Sequence, residues 1–474
     1  MASGIDRKRL ALGVAAVLLS ALGWWFGSAL HPAWWLTWFA PLPVLLLAPR
    51  VRARWAALAA FAAYAMGGLN QWTYLHGYVG LPAGTIVPAI AGPGIALALC
   101  TLLFRRLLAR GRPGAAALAA PVLWVAIEYV NAQLSPHGTF GSISYTQMDA
   151  LPILQVAALA GIWGISFLLL LVPSVLALQC SPNTPGRARA GILAMTALLL
   201  GAAIGHGAWR LRAPATASLR VGLVSLEKPI LPALHDAQGQ TLVARYVEAI
   251  DRLADQGARV VLIPETSFAT TDTTIPAFAE LATRRNLILD VGIDDKSNPQ
   301  AEHNGVMVFQ PTAATPLTYH KHHLIPGLED HYTPGQNYRL LDGATRTGLA
   351  ICKDMDFQDI GRAYSARDAQ LLLVPAWDFR IDGWLHSRMA IMRGVESGFA
   401  IARAARSGRL TLSDDRGRVV AEASSEKHDA ELVGELPLRE SRTLYGRWGD
   451  WFAWLDLAAL LALLVQAVRP RRTG

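Results

Sequence analysis

Val260-Val261-Leu262-Ile263-Pro264-Glu265 is a run of five apolar residues that stops at a carboxylate. Such a run reads as a strand buried on both faces, the kind found inside layered α/β domains. Two downstream stretches end in the same way. Thr318-Tyr319-His320 leads to Lys321, and Gly348-Leu349-Ala350-Ile351 delivers Cys352. A carboxylate, an ammonium and a thiol at strand ends are the parts of a cysteine acyl-transfer site: base, oxyanion partner and nucleophile. A free thiol is only a few per cent ionised at neutral pH, so Cys352 needs a base, and Glu265 suits if apolar surroundings raise its pKa.

The neighbouring pattern supports a layered α/β domain. Residues 219–226 read as a strand, and 240–256 as a helix with Leu242, Tyr246, Val247, Ile250 and Leu253 on one face. Residues 276–285 and 387–397 read as helices. Residues 287–293, 305–310, 347–351, 371–375, 399–405 and 410–413 read as strands, with Asp415-Arg416-Gly417 as a turn. No phosphate-cradling glycine motif is present.

The rest of the chain is of another kind. Its 474 residues are 53% hydrophobic and only 16% charged, with a mean hydropathy of +0.30, too apolar for an ordinary soluble protein. Apolar runs near span length lie at 10–30, 33–48, 55–75, 86–104, 115–130, 157–178, 190–209 and 450–468. Basic residues then alternate between loops. Arg7-Lys8-Arg9 precede the first run, Arg50, Arg52 and Arg54 follow the second, and Arg105, Arg106, Arg110 and Arg112 follow the fourth. Arg187 and Arg189 follow the sixth, and Arg469, Arg471 and Arg472 the last, whereas 76–85 and 131–151 hold no Lys or Arg. The positive-inside rule predicts about eight transmembrane helices, both termini cytoplasmic and the soluble domain outside. Treating the first run as a signal peptide would spoil this alternation. The expected division is 1–212 transmembrane, 218–440 catalytic and 449–468 a last span.

The net charge of +8 is largely loop arginine facing anionic lipid, so no nucleic-acid partner is expected. Cys100 and Cys180 fall in or beside apolar runs, which leaves Cys352 without a disulfide partner in its domain. His320, His322 and His323 lack an acidic or cysteine cluster nearby and read as loop or strand-edge residues, with no metal or cofactor expected. Trp24, Trp25, Trp34 and Trp35 read as interfacial anchors. Glu128, an acid in or near an apolar run, is a candidate functional group or a hydrated interface residue.

Together, Pro264-Glu265, Tyr319-His320-Lys321 and Ile351-Cys352 resemble the nitrilase (carbon–nitrogen hydrolase) superfamily. With the spans, the chain resembles the bacterial apolipoprotein N-acyltransferase family. Further similarity lies in Trp124-Val125-Ala126-Ile127-Glu128, Tyr145-Thr146-Gln147, Leu154-Gln155 and Gly161-Ile162-Trp163-Gly164-Ile165-Ser166-Phe167. It continues in His386, Met389, Met392-Arg393, Glu396, Arg403 and Asp415. The resemblance implies a nitrilase-type αββα sandwich with Glu265, Lys321 and Cys352 as the catalytic triad. It implies Glu329 as a second glutamate on an active-site loop, with Pro326, Gly327, Pro334 and Gly335 suiting a lid. Two departures stand beside the site. Lys353 and Asp354 replace the family's aromatic and glutamate, and Pro326-Gly327-Leu328-Glu329 replaces Pro-Phe-Gly-Glu. Lys353 is expected to add positive charge beside the thiol, and both residues are candidates for substrate contact.

The implied reaction is ping-pong transfer of a fatty acyl group from a membrane phospholipid, through a Cys352 thioester, to the amine of a diacylglyceryl-cysteine lipoprotein. The implied setting is a bacterial inner membrane, with the catalytic domain on the periplasmic side and the protein a monomer. The same triad also serves a membrane-tethered amidase, and a non-catalytic lipoprotein-binding scaffold is a further alternative.

Overall fold

The computed structural model describes residues 7–181, 184–341 and 343–469. Arg471 and Arg472, counted in the charge alternation, lie outside them. The chain forms two compact units, one drawn from Met1–Leu134, Gly141–Leu211 and Asp450–Gly474, the other from Ser135–Phe140 and Arg212–Gly449.

The first unit is helical. Among the described residues, six helices are long and apolar enough to cross a membrane: Leu10–Gly27, Ala83–Ala109, Pro113–Leu134, Ala157–Gln179, Gly186–Leu211 and Trp451–Val468. The third expected span begins as the 16-residue helix Ala53–Gly68. Its helical backbone continues through a 3-10 turn, Leu69–Gln71, and a π-helix, Thr73–Tyr78. The second is broken into Trp34–Thr37 and Leu42–Leu47, with Pro41 between them. Pro41, which has no N–H for the helical ladder, stands as the N-cap of the second piece.

Apolar side chains in this unit divide by face. Leu12, Leu19, Trp35, Leu198, Trp209 and Leu461 are exposed, as lipid-facing side chains are. Trp24 is a correction to the anchor reading. It is fully buried, with its ring 4.6 Å from Tyr64 and stacked 6.2 Å from Trp124, so it holds helices together. Trp25, Trp34 and Trp35 remain exposed. Glu128 is also tied inside this unit, where its Oε1 accepts the Ile143 N–H at 3.0 Å.

Among the described residues, the second unit is built on twelve strands. They are β1 Ala217–Ser225, β2 Val260–Thr270, β3 Ile288–Asp295, β4 His303–Phe309, β5 Leu317–His320, β6 Leu340–Leu341, β7 Thr347–Leu349, β8 Leu371–Trp377, β9 Ala400–Arg406, β10 Arg409–Ser413, β11 Val419–Ser424 and β12 Ala430–Leu438. Two six-stranded sheets result, ordered β12-β1-β2-β3-β4-β5 and β11-β10-β9-β8-β7-β6. The parallel pairs are β1–β2, β2–β3, β7–β8 and β8–β9.

Alternation along each central strand explains its unbroken apolar run. Val260 and Leu262 point into a core shared with Leu371, Leu373 and Leu349 of the other sheet. Val261 and Ile263 point the other way, onto Tyr246, Ile250 and Leu253 of the helix Ala237–Asp255. In the second sheet, Leu372 and Val374 pack outward with Ile360, Tyr364 and Ala390, from the helices Gln358–Ser365 and Gly383–Ser397. The architecture is therefore an αββα sandwich. Each buried Val or Leu contributes about 1.5–3 kcal/mol, so a polar residue on either face would be costly.

Candidate active site

Glu265 is presented by an irregularity in β2. The β2–β3 register runs Ile263 to Val291 and resumes at Phe268 to Ile293, so four residues of β2 bulge opposite Gly292 alone. Gly292 makes this possible, because a Cβ there would lie 2.2 Å from the Pro264 carbonyl oxygen and 2.6 Å from the Glu265 Cα. Within the bulge Thr266 takes φ 45°, a left-handed conformation costly for a β-branched residue. The side chain of Glu265 is thereby lifted from the ladder and buried, 3% exposed.

Lys321 follows β5 and is fully buried. Its Nζ donates to Glu265 Oε1 at 2.7 Å and to both oxygens of Glu329 at 2.9 Å. Asn304 on β4 completes the cluster, with its Nδ2 donating at 2.7 Å to Glu265 Oε1 and at 2.7 Å to Glu329 Oε1. Glu329 in turn closes its own loop, since its Oε2 accepts the Ile325 N–H at 2.7 Å. The loop tip Pro326-Gly327-Leu328 is exposed, with Gly327 at φ 80°.

Cys352 stands just past β7 at φ 42°, and opens the 3-10 turn Cys352–Asp356. A non-glycine residue held there is strained, and the surrounding structure must over-determine it. Asp354 does so. Its Oδ2 accepts the Ile351 N–H at 2.9 Å and the Tyr319 hydroxyl at 2.7 Å, and its Oδ1 accepts the His322 and His323 N–H groups at 3.0 and 2.9 Å. One fully buried carboxylate thus ties the Cys352 turn to the segment that carries Lys321.

The electrostatics suit a thiol that is neutral at rest. Burial pushes the Cys352 thiol well above its ordinary value, and the Glu265 charge adds to this, while Lys321 and Arg403 oppose it. Part of the residue's surface stays open. Burial likewise raises Glu265, with Lys321 opposing and Glu329 adding. For Lys321 burial works against the charge, but the two carboxylates overcome it and hold the ammonium protonated. The arrangement places a strengthened base, a permanent hydrogen-bond donor and a thiol within one another's electrostatic reach.

Of the six candidate residues, Glu265, Lys321 and Glu329 meet directly, and Cys352 feels the charges of the first two. Lys353 and Asp354 do not serve as expected. Asp354 is wholly buried on protein donors, so it holds strand ends rather than touching substrate. Lys353 is buried with its Nζ 3.2 Å from Asp356 Oδ2 and 5.6 Å from the Phe357 ring. Its charge is spent on Asp356, and the cations that act most on Cys352 are Lys321 and Arg403. Sequence reasoning missed Asn304, which had no motif to mark it. It also missed Asp378, which grips the Arg403 guanidinium at 2.9 and 2.5 Å. The three histidines are engaged elsewhere: His320 with Asp295 at 2.9 Å, His322 against Tyr319, and His323 stacked 3.7 Å from Phe357.

Residues 225–445 match the carbon-nitrogen hydrolase family, and residues 20–175 match the apolipoprotein N-acyltransferase N-terminal domain. The chain belongs to the apolipoprotein N-acyltransferase family, within the nitrilase superfamily. The apolipoprotein N-acyltransferase of Geobacter metallireducens is 27% identical over 483 residues, covering 92% of this chain and 91% of its own. That of Gloeobacter violaceus is 28% identical over 511 residues, covering 97% and 94%. An amidase from Nesterenkonia sp. aligns with 46% of this chain and 90% of its own, at 22% identity and a TM-score of 0.40. Membership in this family, together with the apolar helices, makes the chain a multi-pass bacterial membrane protein.

Proposed function

We propose that the protein is a phospholipid-dependent N-acyltransferase that completes lipoprotein maturation, with Glu265, Lys321 and Cys352 as its catalytic triad. The observation that carries this reading is the Glu265–Lys321 pair beside a strained, strand-end Cys352, in a chain whose membrane part matches an N-acyltransferase domain.

In the first half-reaction Glu265 takes the proton from Cys352 Sγ as the sulfur attacks the ester carbonyl carbon of a phospholipid. A C–S bond forms, and the oxyanion accepts a hydrogen bond from Lys321 Nζ. Collapse breaks the C–O ester bond. The proton on Glu265 passes to the leaving alkoxide, so lysophospholipid departs and a thioester remains. In the second, the α-amine of a diacylglyceryl-cysteine lipoprotein attacks the thioester and gives a proton to Glu265. The C–S bond breaks, the amide is complete, and Glu265 returns the proton to Cys352. Asn304 and Glu329 fix the directions of the Glu265 and Lys321 side chains throughout.

The charge alternation favours a catalytic domain outside the cytoplasm, where diacylglyceryl lipoproteins are exposed, and nothing in the chemistry needs a second subunit. Confining donor and acceptor to one bilayer raises their effective concentration at the site. Incubation with labelled phospholipid tests the proposal. The expected result is a hydroxylamine-sensitive adduct that Cys352→Ala loses and that passes to the amine of a diacylglyceryl peptide. An adduct discharged only as free fatty acid would instead mean a hydrolase, and no adduct would mean a scaffold.

A further inference from the structure

A second group of buried cations lies at strand ends of the same unit. Lys228 follows β1 and Arg406 ends β9, and they are only 8% and 7% exposed. Lys228 Nζ donates to the Thr266 carbonyl at 3.0 Å, and Arg406 Nη2 donates to the Lys228 carbonyl at 2.7 Å. The Arg406 guanidinium lies 4.5 Å from the centre of the Trp377 ring. These contacts put the pair beside the reacting groups. Thr266 is the residue after Glu265, and the Trp377 carbonyl oxygen is 3.6 Å from Cys352 Sγ.

The charge of this pair is uncompensated. Arg406 Nε and Nη1 are buried with no hydrogen-bond partner among the described residues. The Glu227 carboxylate acts on both cations from a distance but is itself exposed. Burial, with the Arg406 charge adding to it, pulls the Lys228 ammonium down to about 7. A buried guanidinium with idle donors is costly unless an anion completes it, and its planar fork suits the oxygens of a phosphate.

We propose that Lys228 and Arg406 form the subsite for the phosphodiester of the acyl-donor phospholipid, holding the head group while its acyl ester meets Cys352. This rests on the phospholipid reading above. The glycerol of such a lipid separates phosphate from its acyl esters by two or three carbons, so a cationic anchor near Trp377 serves an ester at the neighbouring sulfur. Such an anchor favours a phospholipid over a neutral diacylglycerol with the same acyl ester.

The test reads binding apart from acyl transfer. Short-chain phosphatidylglycerol and the matching diacylglycerol are titrated by calorimetry into full-length Cys352→Ala protein. The expected result is at least about tenfold tighter binding of the phospholipid, with Arg406→Gln and Lys228→Gln each cutting that ratio about tenfold. Arg406→Lys and Lys228→Arg, which keep the charge, retain most of it. A ratio unmoved by both Gln variants overturns the subsite. Displacement of the lipid by equimolar inorganic phosphate would overturn the head-group assignment and mark a site for free phosphate. An acyl adduct on the native protein together with an unmoved ratio sinks the subsite alone. A ratio that falls in the Gln variants while no adduct forms on native protein sinks acyl transfer and supports the subsite.

Discussion

Two clusters of buried charge stand at strand ends of the same unit, and they are completed in opposite ways. Lys321 lies between two carboxylates, both held by Asn304. Lys228 and Arg406 have carbonyls and an indole ring for company, but among the described residues no carboxylate as a hydrogen-bond partner. A neutralised cluster holds its geometry without any ligand and so suits chemistry that must be ready beforehand. An uncompensated one is set up to receive charge from outside. The difference separates a site for bond-making from a site for recognition.

The largest expected effect lies in the closed cluster. Lys321→Met removes the proposed donor to the oxyanion and leaves Glu265 and Glu329 facing each other without a cation. Single-turnover adduct formation is expected to fall at least about a thousandfold, with about 3–5 kcal/mol of stability lost. A variant within tenfold of the native rate would remove Lys321 from the oxyanion role.

A smaller loss is expected from Gly292→Ala, which touches no reacting group. The added methyl meets the Pro264 carbonyl and the Glu265 backbone and pushes Glu265 by about 1 Å, enough to spoil a reacting geometry. Adduct formation should drop about a hundredfold, while native-like far-ultraviolet circular dichroism shows the sheets intact. An unchanged rate would mean that the bulge does not set the position of Glu265.

The pH profile separates the two clusters further. Glu265 must be ionised to accept the thiol proton, and its pKa is raised by burial. Acylation should therefore fail on the acid side at a pH above the usual carboxylate range, and Glu265→Gln should abolish that limb along with the activity. Lys321 is raised well above its ordinary value, so it should not limit the alkaline side. An acid limb at the ordinary glutamate value would contradict the burial argument.

The smallest effect belongs to the open cluster. Lys228, faced by Arg406 and more distantly by Glu227, sits at about 7. It is protonated below that pH and neutral above it, so the preference for phospholipid over diacylglycerol should weaken as pH rises through about 7. The change should stay under about tenfold, and Lys228→Arg should remove it. A preference that is flat with pH in native protein would argue that the Lys228 charge takes no part in binding.

Much of this was legible from local sequence. Val260–Ile263 and Leu371–Val374 are apolar at every position because both faces of their strands are covered, and that pattern is visible without coordinates. Glu265 and Cys352 stood out because each ended such a run, and Lys321 because it closed the strand-like Thr318-Tyr319-His320. What escaped were relations between strands. Asn304 reaches Glu265 and Glu329 only because β4 lies between β3 and β5, and the role of Gly292 depends on a bulge in its neighbour. The protein partners of Asp354 and Lys353 were hidden for a similar reason. Adjacency to Cys352 suggested substrate contact, but a tight turn sends their side chains back into protein. The run at 33–48 was legible as apolar, while its break at Pro41 depended on backbone geometry.

Cys352 is the lone cysteine of its unit, and if that unit faces an oxidising compartment, a reactive thiol there would be a liability. Oxidants and disulfides react with the thiolate, which is the attacking nucleophile. The burial that makes this sulfur depend on Glu265 also keeps it protonated at rest, so its nucleophilicity is released by the arriving ester rather than displayed beforehand. Cys180, exposed in the same chain, is an internal reference. A small disulfide reagent should modify Cys180 first and Cys352 far more slowly, and equal rates would show that the resting thiol has no such protection.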